Sequence, residues 1–392
     1  MADAWDVAIA GAGPAGSALA VRLAREGHSV LLLDQARFPR KKVCGEYFGP
    51  GCLPLLAETG AAAEIARRAH PIPGIRAVSP GGVEFSATYE GPLQAFSMPR
   101  WELDWILLEN ALRMKTVTVR EGFRTEELIL EDGAVCGLRG RTQGGGVETV
   151  RARVTVGADG RNSVVARRLG VFRLHPSFRR FSVGVHLAQV EARTDGGEIY
   201  AGRGLYGILN QQGSGTANLS IVSGPDRAGL WKGRLQTGLA ALLDELPALR
   251  DRLRGSRPLE KVHALGPLAH SAVRLGAPGA LLIGDAARFY DPFTGEGVYM
   301  ALVDARLAAE TVRTALREGG LSGRLLRKHT RARRMELGLR YAAEGLVQRI
   351  LACPSAADVV ARQLSGRPAL CQRLMEFFGG VRSTPWSPLR TT

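Results

Sequence analysis

Three glycines and three carboxylates are the residues of this chain whose spacing could do chemistry. Gly11, Gly13 and Gly16 form a G-x-G-x-x-G run that follows the apolar residues 7–10. Asp34 ends a second apolar run, 18 residues after Gly16. In such a run the first glycine makes a tight turn, and the second lets backbone approach a pyrophosphate. The third lets a helix pack close to a strand, and the downstream acid accepts hydrogen bonds from a ribose. The helix start also offers free N–H groups and a positive dipole end to phosphates. Gly27 suits the residue just past a helix end. These features point to a dinucleotide.

Two further acids sit at the ends of apolar runs. Residues 156–165 read Val-Gly-Ala-Asp-Gly-Arg-Asn-Ser-Val-Val, so Asp159 and Gly160 precede a helix starting near Ser163. An acid there can hold ribose or pyrophosphate-bound water. Alone, the same residues read equally as an Asp-Gly turn and a helix N-cap. Residues 281–287 read Leu-Leu-Ile-Gly-Asp-Ala-Ala, and residues 291–297 read Asp-Pro-Phe-Thr-Gly-Glu-Gly. A buried strand again delivers a carboxylate, Asp285. A Pro- and Gly-rich turn then opens a helix whose N-terminus could face an electron-rich ring carbonyl.

The elements that must position these residues follow from hydrophobic spacing. Residues 1–34 predict a βαβ unit, and residues 75–98 predict hairpin strands broken at Pro80-Gly81-Gly82 and Gly91-Pro92. Residues 101–113 predict a helix with Trp101, Trp105, Leu108 and Leu112 on one face. Residues 117–156 predict a β-meander of four strands, 117–120, 125–131, 134–139 and 148–156. Sheet is expected again over 179–223, an amphipathic helix over 235–255, a strand over 280–283 and a helix over 295–317. From residue 321 the pattern is helical, basic and amphipathic, interrupted at Pro354 and Pro368.

The chain of 392 residues is long enough to bury a large core. It carries 52 Lys and Arg against 37 Asp and Glu, a formal charge of +15. That excess favours anionic partners, though an arginine-rich proteome explains it as well. The arginines are scattered, without a basic block, and no nucleic-acid partner is expected. Five widely spaced cysteines without a C-x-x-C argue against a disulfide framework or structural zinc. His186, His263 and His270 lack metal-ligand spacing, so no metal is expected. No room for a leader and no apolar run of membrane-spanning length predict a cytoplasmic protein, with peripheral membrane contact left open.

Taken in order, the glycine run at 11–16, the Gly-Ala-Asp-Gly run at 157–160 and the Gly-Asp at 284–285 resemble the three fingerprints of the para-hydroxybenzoate-hydroxylase-like FAD oxidoreductases. Arg100-Trp-Glu-Leu-Asp104 is similar to that family's Arg-x-x-Leu-Asp helix start. The resemblance covers roughly residues 5–315. It implies an α/β fold, with a Rossmann-like FAD-binding domain from residues 1–70, 99–178 and 271–320. An inserted antiparallel-sheet substrate domain would take residues 71–98 and 179–270, and a helical C-terminal region residues 321–392. The cofactor residues it implies are Gly11, Gly13, Pro14, Ala15, Gly16, Asp34, Gln35, Arg40, Cys44, Gly45, Arg100, Asp159, Gly160, Gly284, Asp285, Pro292, Gly295, Glu296, Gly297 and Val298. Two structural alternatives stand beside it: Asp104 as a capping or surface acid, and Arg100 as its ion-pair partner only.

Within that superfamily, residues 40–46, Arg-Lys-Lys-Val-Cys-Gly-Glu, resemble a segment of the geranylgeranyl-reductase branch, as do residues 205–210 and 215–218. The chain departs from the branch at Ile208, Asn210 and Gln211, where the branch carries Trp and Phe-Pro. The Trp-x-Trp-x-Ile-Pro motif of flavin-dependent halogenases is absent, so halogenation is not expected. The resemblance implies an NAD(P)H-dependent monooxygenase that hydroxylates an apolar or aromatic small molecule through a C4a-hydroperoxyflavin. NAD(P)H would dock transiently. The alternatives are an FADH2-dependent reductase of carbon–carbon double bonds in a prenyl or polyketide-like substrate, and a flavin electron-transfer subunit with no substrate of its own. Cys44, beside Arg40, Lys41 and Lys42, reads either as a reactive thiol or as a packing residue. Tyr206 is a second catalytic candidate, and Phe181, Tyr200, Tyr206, Phe289 and Phe293 are candidate wall residues. The substrate is expected free or on a carrier protein. Arg324, Arg327, Lys328, Arg331, Arg333, Arg334 and Arg340, among apolar neighbours, predict a docking helix for an acidic protein or an anionic membrane, or else a solvated face on a helix that caps the FAD domain.

Overall fold

The computed structural model describes residues 4–193, 196–230 and 233–390. Its first unit forms because residues 7–10 and 30–33 are apolar and fully buried, which suits strands covered on both faces. Trp5–Ala10 pairs in parallel with Val30–Asp34 on one side and Val147–Gly157 on the other. Val117–Glu121 extends the sheet beyond Val30–Asp34, and Ala280–Leu282 extends it beyond Val147–Gly157, both in parallel. Parallel strands end at the same edge of a sheet. Gly11, Asp34, Asp159 and Asp285 each lie at or just past such an end. The topology therefore gathers the sequence motifs at one crevice.

The predicted meander needs correction. Val117–Glu121 belongs to the parallel sheet, paired with Val30–Asp34. The true hairpin is Arg124–Glu131 with Ala134–Arg141, and it pairs onto the first part of Val147–Gly157. That strand is 11 residues long because its second part serves the parallel sheet. Sequence alternation alone does not distinguish these neighbours.

A second, mostly antiparallel sheet contains Phe181–Ala188, Thr216–Ser223, Leu205–Gly213 and Gly197–Ala201, with Gly74–Val78 and Glu84–Thr88 continuing it. One face packs Val183, Val185, Leu209, Leu219 and Ile221 against helices Leu235–Asp244 and Pro247–Arg252. The single helix expected over 235–255 is split, with Pro247 starting the second helix, where its missing N–H costs nothing. The other face turns Ile199, Ile208, Asn210 and Ser220 toward the crevice, as the two-residue period of a strand requires.

Arg100–Leu112 is helical as expected, but its buried face differs. Of the four residues expected on one face, Leu108 is buried and Trp105 packs against the core, but Trp101 and Leu112 are exposed, and Leu103, Asp104, Ile106, Leu107 and Ala111 are buried as well. The helix is rotated because the Arg100–Asp104 ion pair lies on its inner face, and hydrophobic periodicity scores that pair as outward.

The C-terminal helices are Gly323–Leu351, Pro354–Ser365 and Pro368–Phe378. The two prolines each open a helix. Arg333 and Arg340, expected on a docking face, are buried instead. Arg333 Nε donates to Asp304 Oδ1 at 2.7 Å. Arg340 pairs with Glu296 and donates to the carbonyls of Phe377 at 2.6 Å and Arg382 at 2.8 Å. The tail is thereby fastened to the helix Gly297–Arg317 and to the turn before it. No helix among the described residues is long and apolar enough to cross a membrane.

Candidate active site

The crevice opens into a cavity of about 1180 Å³. All the residues that the resemblance assigns to the cofactor line it, except Gly16 and Glu296. At one end stand the glycine turn and the start of helix Pro14–Arg25. Gly11 has φ +104°, and a Cβ there would lie 2.3 Å from the Ala158 carbonyl oxygen. A Cβ on Gly16 would lie 1.9 Å from the Gly11 carbonyl oxygen. Gly16 thus serves the close packing of turn and helix, away from the cavity surface. The helix has no side-chain N-cap and no acid in its first turn, so its N–H groups face the cavity unclaimed.

Asp34 accepts the Ala12 N–H at 2.9 Å and the Ala36 N–H at 2.8 Å, which shapes the turn. Asp159 accepts from Ser163 Oγ at 2.6 Å and from the Val164 and Val165 N–H groups, capping the helix Val164–Arg168. Ser163 is the N-cap that the sequence suggested, accepting the Ala166 N–H at 2.9 Å. Burial raises the Asp159 carboxyl above the ordinary range, against these donors. Asp285 is different. Its carboxylate faces Lys42 Nζ at 3.7 Å and accepts no hydrogen bond among the described residues. Its carbonyl is held at 2.7 Å by the buried His270 ring.

Asp104 is fully buried and joins two cavity cations. It takes a two-pronged contact from Arg100 at 3.0 Å and a further one from Arg40 at 3.1 Å. The Arg100–Asp104 pair of the structural alternative is present, Asp104 is a buried acid and not a surface one, and both arginines also line the cavity. Sequence reasoning gave Lys42 no role beyond its place beside the Cys44 thiol, and gave Asp304 none. Asp304 accepts the Gly284 N–H at 2.9 Å while holding Arg333. The only signal for it was an acid on an otherwise apolar helix face.

Residues 41–46 form the cavity wall above the parallel sheet. Asn218 Nδ2 donates to the Cys44 carbonyl at 2.7 Å, and Asn210 Nδ2 to the Gly45 carbonyl at 2.8 Å. Asn210, one of the positions where the chain departs from the reductase branch, is therefore a positioning residue. The Cys44 thiol lines the cavity and its Sγ accepts the Glu46 N–H at 3.4 Å. Glu46, at φ +56°, accepts the Arg100 N–H at 2.9 Å. It also meets His186 Nε2 at 2.7 Å, and Glu260 meets the opposite ring nitrogen. Hydrogen bonding to Glu46 first, then to Glu260, holds His186 up at about 9, against the pull of burial.

Beyond this wall the cavity becomes apolar. Ile208, Leu265, Leu268, Phe289 and Phe293 face Val347, Ile350 and Leu351 from the tail. Phe181 and Tyr200 do not line it. They lie on the helix-covered face of the second sheet, Tyr200 bonded to Glu198 at 2.5 Å. Tyr206 needs correction as a catalytic candidate. It is fully buried behind Phe293, with ring centroids 5.0 Å apart and its hydroxyl on Asp291. It supports the wall from outside. Glu296 is corrected likewise: it is 2% exposed and engaged with Arg340.

These residues fit a flavin dinucleotide. The unclaimed N–H groups before residue 17 and the cations Arg40, Lys42 and Arg100 suit two phosphates. The free carboxylate of Asp285 suits sugar hydroxyls. Gly13 and Gly297 leave room for close approach, since a Cβ would meet only the Arg40 guanidinium at 3.5 Å in one case and nothing within 4 Å in the other. The helix Gly297–Arg317 also starts without a side-chain cap, leaving its N–H groups for an electron-rich ring edge.

The fold and crevice define a flavin-dependent oxidoreductase. The chain belongs to the FAD binding domain family, whose profile matches residues 4–338. It is 30% identical over 330 residues to the digeranylgeranylglycerophospholipid reductase of Methanosarcina acetivorans, covering 82% of this chain and 78% of that one. It is 29% identical over 352 residues to the 6-methylpretetramide 4-monooxygenase of Streptomyces rimosus, covering 84% and 80%. A solved flavin-dependent brominase superposes with a TM-score of 0.85 over 96% of this chain and 94% of its own, at 20% identity. That last likeness is one of fold alone.

Proposed function

We propose that this protein is a monooxygenase that hydroxylates an apolar or aromatic small molecule, with NAD(P)H as transient reductant. The observation that carries this reading is the apolar chamber over residues 291–297, closed by the tail. Bound FAD would supply electron transfer from NAD(P)H and activation of dioxygen. Overall, substrate, dioxygen, NAD(P)H and a proton give hydroxylated product, water and NAD(P)+. The protein's part is to bind, orient and keep water out. Arg40, Lys42 and Arg100 would hold the phosphates, and Asp285 the sugar chain. Asn210 and Asn218 fix the Cys44–Gly45 backbone beside the ring site. Phe289, Phe293, Val347 and Leu351 exclude water from the substrate. A chamber walled this way also argues for a substrate of its own, against a pure electron-transfer role. The 6-methylpretetramide 4-monooxygenase among the relatives supports the same reading.

A second reading, double-bond reduction, is favoured by one observation: Cys44 lines the same cavity. The test is turnover of the FAD-loaded protein with NAD(P)H under labelled dioxygen. Hydroxylation predicts one labelled oxygen per product, and near-neutral behaviour of Cys44→Ser. Saturation of an alkene without oxygen, abolished by Cys44→Ser, would replace the first reading with the second.

A further inference from the structure

Arg288 is the cavity cation that the fold leaves unmatched at the apolar end. It lies on the short strand Arg288–Phe289, which pairs with His270 and Ser271. Its guanidinium is sandwiched between the rings of Tyr341, at 4.1 Å, and Tyr290, at 5.1 Å. It makes no hydrogen bond or ion pair among the described residues, and its Nε is buried without a partner. Of the other arginines of this region, Arg333 is matched by Asp304 and Arg340 by Glu296, while Arg180 lies over the Tyr206 ring behind the cavity wall. The cations suited to phosphates stand elsewhere, on residues 40–42 and 100.

Two acids stand at this end of the cavity, and neither forms an ion pair with Arg288, although its charge acts on Glu344. Asp291 is occupied by the Tyr206 hydroxyl and by the Phe293 N–H at 3.0 Å. Glu344 accepts only the Thr294 hydroxyl among the described residues, at 3.5 Å, and its other oxygen is unpartnered. Burial pushes both carboxyls above their ordinary values, against the pull of Arg180 on Asp291 and of Arg288 on Glu344. A guanidinium cannot shed its proton. Leaving it unpaired among aromatic and apolar side chains is costly unless a ligand completes it.

Resting on the monooxygenase reading above, we propose that the substrate is a ring system bearing an anionic oxygen at its edge, and that Arg288 binds that oxygen. Phe289, Phe293, Tyr290 and Tyr341 take the ring faces. Carboxylate, phenolate and enolate share this binding chemistry, and a phenolate or enolate oxygen also makes its conjugated ring electron-rich where hydroxylation occurs.

The test titrates the oxidised FAD-loaded protein with 2-naphthoate and with its neutral methyl ester, reading the flavin absorbance perturbation. The wild type should bind the acid at least about tenfold more tightly, the worth of a charge-assisted contact. Arg288→Gln should remove that preference by weakening the acid alone, and Arg288→Lys should keep part of it. Equal binding of acid and ester by the wild type, or no binding of either, would overturn the proposal whether or not the variants fold. So would an intact preference in Arg288→Gln. No oxygen or reductant is present, so the outcome is separate from the hydroxylation reading. Acid preference without labelled oxygen in any product leaves the Arg288 site standing and removes the hydroxylase.

Discussion

The two ends of the cavity are built by opposite rules. At the dinucleotide end the grip is mostly backbone: a glycine turn, uncapped helix starts and acids at the end of a parallel strand or two to three residues past one. Charges there are matched within the protein, as in Asp104 with Arg40 and Arg100. At the substrate end the wall is side chains, drawn from the second sheet, from residues 288–293 and from the tail. There Arg288 stands without an ion pair among the described residues. The cofactor end is a fixed receptacle shared by a family. The other end is assembled from distant segments that can change independently, which is where one member acquires its own substrate.

The largest effect should come from breaking the matched charge. Asp104→Ala would strand two cationic side chains in a buried setting, at a cost of about 3–5 kcal/mol. Expected outcomes are loss of flavin from the purified protein and a sharply lowered denaturant midpoint. A variant that keeps both would show that the arginines are satisfied by something other than Asp104.

The second effect depends on pH. His186 is held at about 9 in the folded chain, above the ordinary 6.5, chiefly by Glu46. A raised pKa means the stabilisation is complete below about pH 6.5 and is lost as pH rises through about 9. On the order of 3 kcal/mol at most is involved. The denaturant midpoint of the wild type should fall across that window, and that of His186→Gln should stay flatter. Identical profiles would mean that Glu46 and Glu260 hold the residue 41–46 wall without the imidazolium.

Smaller again is Asp285→Ala. Charge-assisted hydrogen bonds to sugar hydroxyls are worth roughly 1.5–3 kcal/mol, so FAD should bind about ten- to a hundredfold more weakly while the fold persists. Isothermal titration of the apo-protein measures this. Unchanged affinity would move the sugar chain away from Asp285.

These differences explain what the sequence made legible. Gly11, Asp34, Asp159 and Asp285 could be read because each sits next to its own apolar strand, and because parallel strands carry them all to one edge. The Arg100–Asp104 spacing was visible, but its burial was not, since an ion pair facing inward looks like a surface face in any periodicity. Arg333 and Arg340 were misread for the same reason. Only Asp304 and Glu296, on and before another helix, take them inside. Arg288 and Glu344 carried no local signal at all, because their meaning depends on segments that meet only in the folded chain.

The smallest effect concerns what remains outward on the tail. With Arg333 and Arg340 buried, Arg331 and Arg334 still face solvent, near exposed Met335, Leu339 and Leu346. We propose that this reduced face meets an anionic partner, either a lipid surface or an acidic carrier protein presenting the substrate. It lies on the helix whose inner side walls the chamber, so docking there would bring a substrate to the opening the helix borders. Solvent-exposed charges contribute little individually, roughly 0–1 kcal/mol, and are screened over about 8–10 Å near physiological salt. The double reversal Arg331→Glu and Arg334→Glu should therefore weaken binding to anionic vesicles or to an acyl carrier protein by about tenfold at low salt, with little difference at high salt. Flavin content should not change, because neither side chain reaches the dinucleotide end. Wild-type binding by the double variant to both partners would leave these arginines as solvated residues on a helix whose work is entirely internal.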